Sequence, residues 1–96
     1  MNTPDKPNPP ATESLLVFPC AFPIKAMGRA TDDFAQTVVA VVQRHAPDFD
    51  PAGVEMRASS AGNYLSVTCT IMTTSRRQLD DLYRDLSSHP AVAMVL

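Results

Sequence analysis

From Phe22 onward the apolar positions of this chain switch between a period of two and a period near 3.6. The order of the switches predicts strand, helix, two strands, helix, strand. Leu15 to Phe18 is apolar, but Pro19 and Pro23 each remove a ladder donor, so it reads as an edge or lead-in, and the first regular strand is expected over Phe22 to Met27. Gly28 punctuates it, Thr31 is placed to cap the next helix, and Asp32 and Asp33 put negative charge on its first turn. Phe34, Val38, Val41, Val42 and His45 then fall on one face of a helix expected over Asp32 to His45, which finishes on the basic pair Arg44 and His45 and is ended by Pro47.

Val54, Met56 and Ala58 alternate with Glu55, Arg57 and Ser59. After Ser60-Ala61-Gly62-Asn63, Leu65, Val67, Cys69 and Ile71 alternate with Tyr64, Ser66, Thr68 and Thr70. A hairpin with one dry face is expected. Ser75 followed by Gln78 reads as a capping box, and Leu79, Leu82, Tyr83 and Leu86 form the stripe of a second helix that Pro90 stops. Ala91 to Leu96 closes the chain as a short strand. Right-handed crossovers and nearest-neighbour pairing resolve this α+β pattern into a ferredoxin-like βαββαβ sandwich: a four-stranded antiparallel sheet of order 4-1-3-2 with both helices on one face. The other face is left open, carrying Lys25, Glu55, Arg57, Ser59, Tyr64, Ser66, Thr68 and Thr70 as plain surface or as a docking surface.

Composition narrows the classes of function. Residues 1–14 hold four of the nine prolines and almost no large apolar residue, so they are expected to be a disordered tail ahead of a single domain over 15–96. A net charge of −2 gives no reason to expect nucleic acid. The RNA-recognition module shares this framework but needs stacked aromatics on its central strands, and the open face offers only Tyr64. No apolar run spans a bilayer and no leader pattern is visible, so a cytoplasmic protein is expected. Cys20 and Cys69 lack the spacing of a disulfide framework or a zinc site, and alternation buries Cys69.

Candidate chemistry is set by the topology. The Gly28 to Thr31 loop, the hairpin tip with Asn63 and the connection at His89 are expected at one end of the sheet. There, unpaired N–H groups of a helix N-terminus and the Arg29 guanidinium would meet a carboxylate. Gly28, Arg29, Asn63 and His89 are therefore the candidate ligand residues, although Gly28 is equally accounted for by a turn. His45 and His89 end antiparallel helices and are expected at opposite ends, too far apart to share a metal. Arg76 and Arg77 are candidate partner-binding cations, or members of a charge-laced face with Asp80 and Asp81 four residues on. No nucleophile with a base assembles, so neither an enzyme nor a cofactor is expected.

The segments Phe18-Pro19-Cys20-x-Phe22-Pro23-Ile24-Lys25-x-Met27-Gly28, Ser59-Ser60-x-Gly62-Asn63-Tyr64 and Ser87-x-His89-Pro90 with terminal Met94-Val95-Leu96 resemble the YbeD-like family of small bacterial proteins over nearly everything after Ser14. The family is largely uncharacterised. The resemblance implies a fold similar to ACT-type regulatory domains, which bind small effectors of amino-acid metabolism near a glycine after the first strand, often across a dimer interface. Gly28 is the matching position. It also implies a link to lipoate metabolism, suggested for the family by gene neighbourhood. With no enzyme domain attached, a noncatalytic regulatory module acting in trans is expected, as a homodimer or through an enzyme or regulatory partner. An adaptor without a small ligand is the other reading.

Overall fold

A computed structural model describes residues 16–96; the expected tail over 1–14, and Leu15, lie outside them. The elements are β1 (Cys20–Arg29), α1 (Phe34–His45), a 3-10 turn (Pro51–Gly53), β2 (Glu55–Ala58), β3 (Tyr64–Thr73), α2 (Arg76–Ser88) and β4 (Val92–Val95). The sheet is antiparallel in the order β2-β3-β1-β4, the arrangement expected from the sequence.

β1 runs longer than expected and accommodates Pro23 in its interior. It pairs with β3 along its whole length, from Cys20 opposite Thr73 to Arg29 opposite Tyr64. β4 reaches only its C-terminal half, through Ala26, Met27 and Gly28 and a reciprocal backbone pair between Lys25 and Leu96. Pro23 therefore sits where β1 has a free edge and no ladder donor is needed.

The core follows the two periodicities. Ile24 and Ala26 of β1, Val67, Cys69 and Ile71 of β3, Phe34, Val38, Val41 and Val42 of α1, and Leu79, Leu82 and Leu86 of α2 are buried together. Burial of this continuous apolar set outweighs the poor helix propensity of the valines in α1. At the start of α1 the expected cap is corrected. The helix begins at Phe34, Asp33 occupies the N-cap without a side-chain cap bond, and the Thr31 hydroxyl donates to the Asp33 carboxylate at 3.0 Å instead.

β2 corrects a second expectation. Val54 packs against the core, but every residue of β2 is exposed, and Met56 remains 58% exposed on the helix side of the sheet. The helices lie over β3, β1 and β4, so alternation places Met56 on the helix face without anything above it. At the hairpin tip Gly62 adopts φ +78, the left-handed conformation that favours glycine, and its N–H donates to the Ser59 carbonyl at 2.9 Å.

Candidate functional site

The loops expected at one end of the sheet are found together, but they do not form the expected anion cradle. The Ala30 N–H donates to the Asn63 carbonyl at 2.9 Å, and Gly28 pairs with Val92. His89 closes α2, and its Nδ1 accepts from the Ala91 N–H at 3.0 Å. Gly28, however, is a buried strand residue rather than part of a surface loop. A Cβ placed on it would run into the Ala91 carbonyl oxygen and the Phe34 ring, so glycine is required there by close packing. Arg29 projects onto the open face of the sheet, with its guanidinium 5.9 Å from the Tyr64 ring centroid, and so turns away from the start of α1. Asp32 and Asp33 precede that helix and set negative charge beside its N-terminus, where the Asp33 carboxylate accepts from the Thr31 hydroxyl. Gly28, Arg29, Asn63 and His89 thus share an end without converging on one point.

The other site expectations sort as clearly. Arg76 pairs with Asp80 at 3.2 Å and Arg77 with Asp81 at 3.9 Å, while Arg84 reaches Asp81 at 3.0 Å, so this side of α2 is a charge-laced face. Cys69 is fully buried, and burial pushes its thiol up to about 11, which leaves it unreactive. Among the described residues no group of three or more His, Cys, Asp or Glu is placed to hold a metal ion.

The histidines are related more closely than helix direction suggests. The His45 carbonyl does lie at the N-terminal end of α2, where the Gln78 Nε2 donates to it at 2.7 Å, but the His45 ring turns back along α2 and its Nε2 meets Asp85 Oδ2 at 2.9 Å. The Asp85 carboxyl is held below its ordinary value of 3.8, chiefly by the hydrogen bond to His45, then by the charges of Arg44, His45 and His89. The side-chain partner of Asp85 is His45, whereas His89, one turn further along the chain, contributes only its charge.

A folded-state carboxyl held low contributes stability that is complete above its unfolded pKa and lost as pH falls through the folded value. Asp85 is 36% exposed, so solvent screening limits the contribution to less than about 1 kcal/mol. Asp85→Asn should lower the urea midpoint slightly near pH 5, and the difference from wild type should vanish below the carboxylate range. A deficit that persists at low pH would assign the loss to packing.

The surface with the most distinctive chemistry is the open face. Its β1 row is Ala21, Pro23, Lys25, Met27 and Arg29, its β3 row Tyr64, Ser66, Thr68, Thr70 and Met72, with Glu55 and Arg57 beyond on β2. On the other side, Met94 stands opposite Met27, and Leu96 opposite Lys25. Tyr64, Met72, Met94 and Leu96 are each about half exposed or more. The sequence shows the polar members of this face except Arg29, expected in the loop after β1, and does not show the methionines. Met27 and Met72 were accessible by extending the alternation of Ile24, Ala26 and Ile71 by one position. Met94 was not, because the ladder between β1 and β4 shifts register at Met27 and Gly28.

Three shallow depressions mark this face, and one of about 470 Å³ lies beside Ala21, Glu55, Thr70 and Met72 with Asp48 and Asp50 at its border. Another of about 400 Å³ is lined by Met27, Arg57, Tyr64 and Ser66 among others, and one of about 270 Å³ lies beside Lys25, Glu55, Arg57 and Thr68. Among the described residues three cations, Lys25, Arg29 and Arg57, stand on the strands of this face against one carboxylate, Glu55, with Asp48 and Asp50 at its border, although the whole chain carries a net charge of −2.

Comparison with known proteins agrees with this architecture. The UPF0250 protein RSc0326 of Ralstonia nicotianae is 52% identical over 92 residues, covering 96% of this chain and 95% of its own. The UPF0250 protein NE1487 of Nitrosomonas europaea is 54% identical over 84 residues, covering 88% and 97%. Among solved structures, protein HP0495 from H. pylori superposes with a TM-score of 0.69 at 12% identity, covering 95% of this chain and 98% of that one. The C-terminal domain of the MgtC protein from Mycobacterium tuberculosis superposes with a TM-score of 0.55 at 14% identity, covering 85% and 89%. At these identities the two structures speak to fold alone. Residues 13–96 match the family described as "Protein of unknown function (DUF493)", and with relatives at half identity over almost their whole length the chain belongs to that family, which also contains YbeD.

Proposed function

We propose that this chain is a noncatalytic binding module that works through the uncovered face of its sheet, docking a partner protein whose surface is acidic and partly apolar, and regulating that partner by occupancy. The supporting observation is the composition of the face. Methionine side chains adapt to irregular apolar contours. Here Met27, Met72 and Met94 lie among Lys25, Arg29 and Arg57 on a surface more basic than the rest of the chain. Charge complementarity of this kind speeds encounter and selects partners, while apolar contact supplies most of the affinity.

This reading moves the working surface away from the Gly28 end, where Gly28 is accounted for by close packing and two aspartates set negative charge beside the start of α1. An adaptor role therefore has more support than an effector site. Immobilised full chain should retain partner proteins from an extract of its source cell, and Lys25→Glu with Arg29→Glu should abolish that capture. Arg76→Glu with Arg77→Glu, on the charge-laced face of α2, should leave it intact. The opposite pattern would transfer the function to α2 and overturn the open-face reading.

A further inference from the structure

We infer that the free edge of β2 is a self-complementary dimerisation strand, through which a second copy of this chain extends the sheet. The occupant is chosen by charge and by backbone direction together. The Ser59 N–H donates to the Tyr64 carbonyl at 2.9 Å, and the same register continues through Arg57 opposite Ser66 and Glu55 opposite Thr68. Alternation along the strand then turns the N–H and C=O groups of Arg57 and Glu55 toward β3, and those of Met56 and Ala58 outward. Outward groups can bond only outward groups of an antiparallel copy, so the allowed registers differ in steps of two residues.

Those steps make the registers easy to tell apart. Placing Met56 opposite the partner's Met56 sets Glu55 opposite the partner's Arg57, and by symmetry Arg57 opposite the partner's Glu55. A shift one way sets Glu55 against the partner's Glu55, and a shift the other way sets Arg57 against the partner's Arg57, each with like charges directly opposed. Only the central register is complementary. In it the two charged pairs are non-hydrogen-bonded pairs, the kind whose side chains approach more closely, while the Met56 pair carries the reciprocal backbone bonds.

The surroundings fit this use. β2 carries no proline, bulge or lysine within Glu55–Ala58, so its edge is protected only by its shortness and its two charges, and the charges become complementary in the central register. Neither Glu55 nor Arg57 forms an ion pair with another described residue. On the helix side Met56 is exposed, and Val54, two residues before it, lines a groove of about 370 Å³ with Ala35, Val39 and Pro51 and the polar Gln36 and Gln43. Gly53, which this register brings near the partner's Ser59, has open space around it. The pairing keeps the helices of both copies on one side and joins the two open faces into one continuous surface. It shares Arg57 with the surface proposed above for partner binding, whose other cations, Lys25 and Arg29, stand on β1 beyond β3.

A four-residue edge gives a weak, reversible dimer, so sedimentation of the full chain over about 10 μM to 1 mM is the suitable measurement. Glu55→Arg alone and Arg57→Glu alone should each weaken self-association at least about tenfold, because each converts both symmetric pairs to repulsion. Mixing these two variants should restore a dimer, as should combining both changes in one chain, since either arrangement re-pairs opposite charges. Both positions are exposed, so the variants should keep the wild-type urea midpoint. A wild-type chain that stays monomeric throughout the range overturns the inference, and so does a dimer that neither single reversal weakens. Glu55→Arg removes none of the docking cations Lys25, Arg29 and Arg57, so in that variant loss of self-association with partner capture retained separates the two readings.

Discussion

Gly28→Ala is expected to destabilise the protein by about 3 kcal/mol, the upper part of the usual range for overpacking. The added Cβ meets two groups that cannot move aside cheaply. One is the Ala91 carbonyl oxygen, part of the backbone that leads into β4, and the other is the Phe34 ring, which is 1% exposed and held by the core. A domain of this size is stable by roughly 4–12 kcal/mol, so the loss is a large fraction of the total. It should lower the melting temperature by about 10–20 °C. Urea unfolding with far-UV circular dichroism measures the effect. If Gly28 served a bound carboxylate instead, Gly28→Ala would leave the midpoint unchanged and alter only ligand response. An unchanged midpoint would therefore restore the loop reading and overturn the packing argument.

Gly28 also shows where the sequence stops being informative. A glycine after an apolar strand and before a capped helix fits a turn, an anion cradle and a close contact equally well, and only the position of Ala91, far along the chain, distinguishes them. Within elements the periodicities were reliable. Val67, Cys69 and Ile71 are buried in β3, and Phe34, Val38, Val41 and Val42 in α1, as alternation and the helical period require. Met56 was misread by the same rule, because alternation assigns a residue to a face of the sheet but does not say whether a helix covers that part of the face.

Much the same holds for charge. The spacing of Arg76 and Arg77 from Asp80 and Asp81 is a local property, and the pairs form. Asp85 joins His45 across forty positions and two antiparallel helices, a relation that no local pattern announces. The open face lies between these cases. Its polar half is legible strand by strand, whereas its apolar half depends on how the rows of β1, β3 and β4 are placed side by side. That is why the sequence leaves this surface open between plain solvated sheet and a docking surface, and why the self-complementarity of Glu55 and Arg57 emerges only once β2 is known to be an edge.

Gln78→Ala is expected to cost about 2–3 kcal/mol, because one half-buried side chain joins three elements by hydrogen bonds worth about 1 kcal/mol each. Its Oε1 accepts from the Thr74 N–H at 2.7 Å and from the hydroxyls of Thr73 and Thr74 at 3.0 and 3.2 Å. Its Nε2 donates to the His45 carbonyl at 2.7 Å, tying the end of α1 to the start of α2. The sequence shows only a capping box here. Ser75 does accept from the Gln78 N–H at 3.1 Å, but the returning bond goes to Thr74 rather than to Ser75 itself. Gln78→Glu separates the two roles. A carboxylate keeps the acceptor that holds Thr73 and Thr74 and still satisfies the Ser-x-x-Glu signature, yet it has no proton for the His45 carbonyl and sets a negative charge beside it. The urea midpoint of Gln78→Glu should therefore fall between those of wild type and Gln78→Ala near neutral pH. If glutamate matches wild type, the link to α1 adds nothing and the cap accounts for the whole effect; if it matches alanine, the stability of this corner rests on the amide donor to His45.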